Sequence, residues 1–176
     1  MGSVEAIRTV AGILKSQEGQ AAVVFSALSG ATDILPRALQ FASEGNREYC
    51  SVIEEIERRH LDVSSGLLDR DRNNDFKHKM AGHLSRLDGI LEGVFRLGEA
   101  TCRSTDLVLS FGELMSLDLI ELALEEYGAD VTRVDAREMI FTRPYGGSER
   151  VDYEVSEESV RKRLPSGRSC LRSGLM

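Results

Sequence analysis

What most constrains this chain is a contrast in periodicity. Two short Val-rich runs, Ala21–Phe25 (AAVVF) and Val131–Val134 (VTRV), are separated by long stretches whose apolar residues recur every three or four positions. Short apolar runs of that kind read as buried strands, and the periodic stretches as amphipathic helices. A chain that alternates the two buries both by stacking helices on a sheet. The expected fold is α/β: a partial three-layer α/β/α sandwich with a largely parallel sheet.

The helical stretches can be placed from their spacing and breakers. In SVEAIRTVAGILKS, Val4, Ile7, Ala11 and Leu14 share a face and Ser3 can cap. QEGQ ends that helix, and SALSGATD after the first strand is a small polar loop. ILPRALQFASEG resumes the helical period. Pro36 belongs in a first turn, so this helix is expected to start near Thr32 or Asp33. From Asn46 to about Leu97 the text is charged and helical, with breaks expected at DVSSG and DRNND. This predicts a helical hairpin or lobe over the sheet. GEATCRSTD is a loop whose Ser104, Thr105 and Asp106 can cap the next helix. FTRPYGGSERVDYEV reads as irregular or a short hairpin, and SEESVRKRL as a short helix capped by Ser156.

Composition narrows the function classes. The 176 residues suffice for one domain with a real core. A net charge of −7 gives no attraction to nucleic acid or anionic lipid, and the basic cluster Arg161–Arg172 carries no interleaved aromatics. No run reads as a membrane span or secretory leader. Cys50, Cys102 and Cys170 are odd in number and scattered, which suits free thiols in a reducing cytoplasm. His60, His78 and His83 lack metal-ligand spacing and read as surface or helix-packing residues, so no metal site is expected.

One segment is odd for its class. In SFGELMSLDLIELALEEYG, Ser110–Gly128, a helical projection puts Asp118, Glu121 and Glu125 on an expected solvent face. Glu113 projects instead onto the side of Leu117, Ile120 and Leu124, and Ser116 lies opposite the acidic stripe. A buried carboxylate without a partner costs several kcal/mol or changes its pKa. Glu113 is therefore either a helix-start carboxylate satisfied near the surface or a group that meets a cationic ligand.

The first strand adds a second clue. It ends at Phe25, and a Ser/Gly/Thr loop leads into a helix. Ligands of open α/β sheets sit beyond the carboxyl ends of strands, near helix N-termini that attract anions. SALSGAT lacks the Gly-x-x-x-x-Gly-Lys-Ser/Thr pattern of a P-loop. A plain capped turn and an anion site both fit it. Taken with Glu113, the Thr32 helix start can hold a carboxylate while Glu113 holds an ammonium. A ligand with both charges is an amino acid.

VVFSALSGATDILPRAL and STDLVLSFGELMSLDLIELALEEYGADVTRVDARE resemble aspartokinases of the amino-acid kinase superfamily. The GELMS helix followed by a strand and VDARE turn is the more specific part, and the resemblance runs from Gly2 to about Leu164. It implies an amino-acid kinase type of sandwich. It also implies transfer of the γ-phosphoryl group of MgATP to the β-carboxylate of L-aspartate, opening lysine, threonine, methionine and diaminopimelate synthesis. Ser26, Thr32 and Glu113 would then be substrate-binding residues, with Glu113 meeting the substrate ammonium. The resemblance assigns no catalytic residue within this chain.

Two departures shape the expectation for these residues. The family opens with a Lys-Phe-Gly-Gly-Thr-Ser strand whose lysine and glycines hold phosphates, and here GSVEAIR matches the residues immediately after that motif. The family also continues into Gly-Phe-Ile-Gly and Gly-Arg-Gly-Gly-Ser-Asp segments, which PSGRSCLRSGLM does not show. The expectation is a fragment: residues 1–164 as a partial kinase domain lacking its first strand and ATP subdomain, and 165–176 as an irregular tail. An exposed sheet edge would make a homo-oligomer possible. The competing function class is a non-catalytic remnant or interaction module of the same fold.

Overall fold

A computed structural model describes residues 4–16, 21–145, 148–164 and 169–173, without the side chains of Thr32, Ser148 and 169–173. The apolar spacing of the first segment forms α1 (Val4–Ser16), which buries Ile7 and Ala11. β1 (Ala22–Phe25) follows and turns Phe25 into the core while Val24 stays 60% exposed. α2 spans Ala31–Ser43. Pro36 stands in its second turn rather than its first, on the exposed side. There the missing N–H leaves the Thr32 carbonyl without its helical donor.

The lobe is two long helices, α3 (Tyr49–Leu67) and α4 (Arg70–Leu97). The expected breaks at DVSSG and DRNND are both helical, and the chain turns between them, at Leu68–Asp69. Ser64 is buried in α3 and donates to Leu61 O and Asn73 Oδ1, so its hydroxyl is satisfied without breaking the helix. Asp69 accepts from the Arg72 N–H and starts α4. Gly98, at φ 67°, ends it.

α5 (Cys102–Glu126) begins one turn earlier than Ser104–Asp106 would cap it. Thr101 is the cap, in a reciprocal box with Ser104. β2 (Val131–Val134) and a 3-10 turn (Ala136–Glu138) follow. The next segment is a hairpin, β3 (Thr142–Tyr145) paired antiparallel with β4 (Ser148–Val151). α6 (Tyr153–Arg163) is capped by Asp152. Ser156 is buried inside α6, where its hydroxyl accepts from the Phe141 N–H.

Residues 169–173, expected in an irregular tail, form β5 (Ser169–Ser173). This strand lies between β1 and β2 and pairs parallel with both. Its own sequence gives no strand signal; the backbone donors and acceptors of its two neighbours select it. The main sheet among the described residues thus has three strands, separate from the antiparallel hairpin.

α5 is the centre of the core. It packs against α1 to α4 on one side and the three strands on the other. Phe111, Met115, Leu117, Leu119, Ile120, Ala123 and Leu124 are wholly buried. Each large side chain among them contributes about 1.5–3 kcal/mol of transfer free energy. A smaller cluster, Val134 and Met139 with Val160 and Leu164, seats α6 under the end of β2.

Candidate functional site

β1 and β2 run parallel through β5, so their carboxyl ends share one edge of the sheet. The front half of α5 is tied to that edge. Ser116 Oγ accepts the Leu28 N–H at 2.8 Å and donates to Gly112 O at 2.7 Å. Gly112 lets α5 approach the start of α2. A Cβ there would lie 3.2 Å from Ala27 Cβ, 3.3 Å from Leu35 Cδ1 and 3.5 Å from Ala31 Cβ. Ser116 therefore points inward as its position on the wheel requires, and its hydroxyl is satisfied by backbone.

Glu113 and Thr32 each follow a residue of this contact, Gly112 and Ala31. Glu113 is half-buried, and its Oε2 is sealed from solvent with no hydrogen-bond partner. Desolvation holds its carboxyl above the ordinary carboxylate range, partly offset by a hydrogen bond from its own backbone N–H. Thr32 lies in the first turn of α2, and its side chain is outside the described residues. Ser26 is exposed at the end of β1.

The acidic stripe of α5 is not a solvent face. Asp118 is 2% exposed: Oδ2 accepts from His83 Nε2 at 2.6 Å, and Oδ1 pairs with Arg133 of β2. Glu121 is largely covered and pairs with Lys79 Nζ at 3.2 Å, while Glu125 alone is exposed. α4 lies over this side of α5 and brings both His83 and Lys79. His60 is a buried packing residue whose Nδ1 meets Ile56 O at 2.8 Å and whose Nε2 has no partner. Burial lowers its pKa. His78 is exposed.

Sequence reasoning passed over Arg137. β2 leads into Asp135, whose carboxylate accepts from Arg137 Nε at 3.0 Å and Nη2 at 2.6 Å. Asp135 raises the Arg137 pKa further, and Arg137 in turn lowers that of Asp135 against its desolvation. Arg137 Nη1 reaches Ser110 Oγ of α5 at 3.4 Å. The signal was present in VDARE, but an arginine two residues from an aspartate reads as a surface pair until the turn folds it against α5.

The glycine of the β1–α2 turn, Gly30, has φ 88°, and a Cβ there would lie 2.2 Å from Arg59 Nη1, so the Arg59 guanidinium lies against this turn. Arg59 is itself paired with Glu55. Among the described residues no group of three or more His, Cys, Asp or Glu can hold a metal ion. Also among them, no helix is long and apolar enough to cross a membrane, and Cys50 and Cys102 are free thiols.

Comparison with solved structures defines the class. The chain superposes on E. coli aspartokinase III in complex with aspartate and ADP with a TM-score of 0.84 at 21% identity, covering 98% of this chain and 38% of that one. For the same enzyme in complex with lysine and aspartate the TM-score is 0.82 at 22% identity, with 97% and 38% covered. The fold is a partial α/β/α fold of the amino-acid kinase type. No family model matches the chain. It is 29% identical over 164 residues to bifunctional aspartokinase/homoserine dehydrogenase 1, chloroplastic, of Zea mays. It is also 29% identical over 164 residues to the corresponding Daucus carota enzyme and 28% over 162 residues to one from Arabidopsis thaliana. Over nearly its whole length the chain is similar to aspartokinases, proteins of the amino-acid kinase superfamily. It spans 18% of the length of these curated relatives.

Proposed function

We propose that this chain carries the amino-acid side of an aspartate kinase, the part that binds L-aspartate for phosphoryl transfer from ATP to its β-carboxylate. The observation that supports this best is Glu113 Oε2, a sealed carboxylate oxygen without a partner on the residue that follows Gly112, where α5 packs against the start of α2. Such an atom is costly in the empty protein and gains most from a cation. In this reading Glu113 accepts from the substrate ammonium. Thr32 and the first N–H groups of α2 take a carboxylate, and Ser26 borders the pocket. ATP with Mg2+ supplies the phosphoryl group in the family reaction, and no residue described here is assigned to either.

In the same reading, the three-stranded sheet is part of a largely parallel one in a partial kinase domain that also takes in β5, the reaction serves lysine, threonine, methionine and diaminopimelate synthesis, and the scattered cysteines support a reducing cytoplasm. A non-catalytic remnant is the second reading, favoured by the 18% of the curated relatives' length that the chain spans. Calorimetric titration of the chain with L-aspartate tests the first. Saturable binding lost in both Glu113→Ala and Glu113→Gln is expected. Binding unchanged by both substitutions would sink it.

A further inference from the structure

His60 stands on the buried face of α3 with Tyr49, Val52, Ile56 and Leu67, and only 1% of its surface is exposed. Its Nδ1 lies 2.8 Å from Ile56 O. A carbonyl can only accept, so Nδ1 carries the proton and Nε2 a lone pair. Nε2 is sealed from solvent and has no hydrogen-bond partner. A second proton there would bury a cation whose new N–H finds no acceptor. The surrounding elements offer no relief. α3 packs against α1, α2, α4 and α5. α4 brings His83, whose charge opposes a charge on His60. Asp118 of α5 is already taken: Oδ2 accepts from His83 Nε2 at 2.6 Å, and Oδ1 pairs with Arg133 of β2. Among the described residues, α1 and α2 place no charge against His60.

We propose that His60 is an acid-sensitive latch on the helical lobe: the neutral ring lets α3 dock against α4 and α5, and a second proton on Nε2 releases α3. The window follows from the direction of its ionisation. Burial lowers the folded pKa of His60 below the ordinary 6.5, and charge on His83 lowers it further. Above 6.5 the ring is neutral in both the folded and the unfolded chain, and stability does not depend on it. As pH falls below 6.5 the unfolded chain takes up the proton first, so stability is lost until the folded pKa is reached. The release is confined to α3. His83 and Arg133 keep their shared partner Asp118, so α4, α5 and β2 stay tied together while α3 leaves.

The test compares the 176-residue chain with its His60→Met variant between about pH 7.5 and about pH 5.5. His78→Gln, which alters an exposed ring of α4, is the control. Relative to His60→Met, the wild type is expected to lose about 3–5 °C of melting temperature for each pH unit below 6.5 over which the folded ring stays neutral. His78→Gln should follow the wild type. Hydrogen exchange, corrected for the intrinsic pH dependence of its rate, should show α3 losing protection on acidification in the wild type and keeping it in His60→Met, with α5 protected in both. If His60→Met does not fold, the ring resonances of His60 in the wild type carry the test: while α3 is protected they should show no titration near 6.5. The same pH dependence in wild type and His60→Met, or a His60 ring that titrates near 6.5 in the folded chain, overturns the proposal. Protection lost equally from α3 and α5 overturns it too, because the fold then melts as one unit.

Discussion

Glu113 carries an internal cost that its ionisation reveals. Burial raises its folded pKa above the ordinary 4.5. A carboxyl shifted upward contributes stability that is fully present below its unfolded value and lost as pH rises through the folded one. Glu113→Gln removes that loss. In the ligand-free chain it should raise the melting temperature by about 2 °C at pH 7, a modest gain because the residue is only half-buried, and by nothing near pH 3.5. Melts at both pH values check this, and a neutral-pH loss would show that the carboxylate is satisfied. With aspartate present, the same substitution and Glu113→Ala should weaken binding by about 2–5 kcal/mol, the cost of removing one partner of a desolvated charge pair. Glu125, exposed on the same helix, is the control; Glu121 is paired and is not. Asp118 behaves differently, being buried with both partners present. Asp118→Ala strands His83 and Arg133 and should cost about 3 kcal/mol in urea unfolding. A change below about 0.5 kcal/mol, the level of ordinary surface substitutions, would mean that water replaces the carboxylate freely.

Among elements, the contact of α5 with the start of α2 matters most, because it sets where Glu113 lies. Gly112 is required there for close approach. The methyl groups of Ala27 and Ala31 are attached directly to backbone and cannot swing aside. Gly112→Val forces the two helices apart and should cost about 2 kcal/mol, as overpacking usually does. It should also weaken aspartate binding although it removes no ligand contact. Wild-type affinity in a stably folded Gly112→Val chain would show that the contact does not set the pocket. The α3–α4 turn and the α5 cap show the same rule at smaller scale: Asp69 and Thr101 start helices because each finds an orphan backbone N–H.

For the whole molecule, two outcomes are expected. The isolated 176 residues should show no aspartate-dependent ATP turnover. Stabilising charge on a transferred phosphoryl group takes several oriented donors and cations, and the Arg59 guanidinium at the β1–α2 turn is already paired with Glu55. Trapping of aspartyl phosphate as its hydroxamate above background would refute this. The chain should also self-associate as its concentration rises. β1 is an edge strand of the described sheet, with Val24 60% exposed, and open edges pair with other chains. Light scattering that reports a monomer at every concentration would count against it.

The sequence by itself determined that most of the chain is helical, though not where α3 ends and α4 begins, the strands near Ala21–Phe25 and Val131–Val134, and the inward direction of Glu113 and Ser116. Each is a consequence of local periodicity: once a helix forms, the angle between two side chains on it is set. The aspartokinase resemblance came from motifs whose residues are contiguous, and so did not depend on folding. Tertiary structure alone decided the rest. β5 has no strand-like composition and exists where β1 and β2 offer hydrogen bonds on both sides. Asp118 sits on a polar stripe, yet it is buried because α4 arrives with His83 and β2 with Arg133. Arg137 belongs with Ser110 only after the turn beyond β2 closes. A wheel assigns a residue to a side of its helix, but whether that side meets water, a cation or a ligand depends on elements distant in the chain.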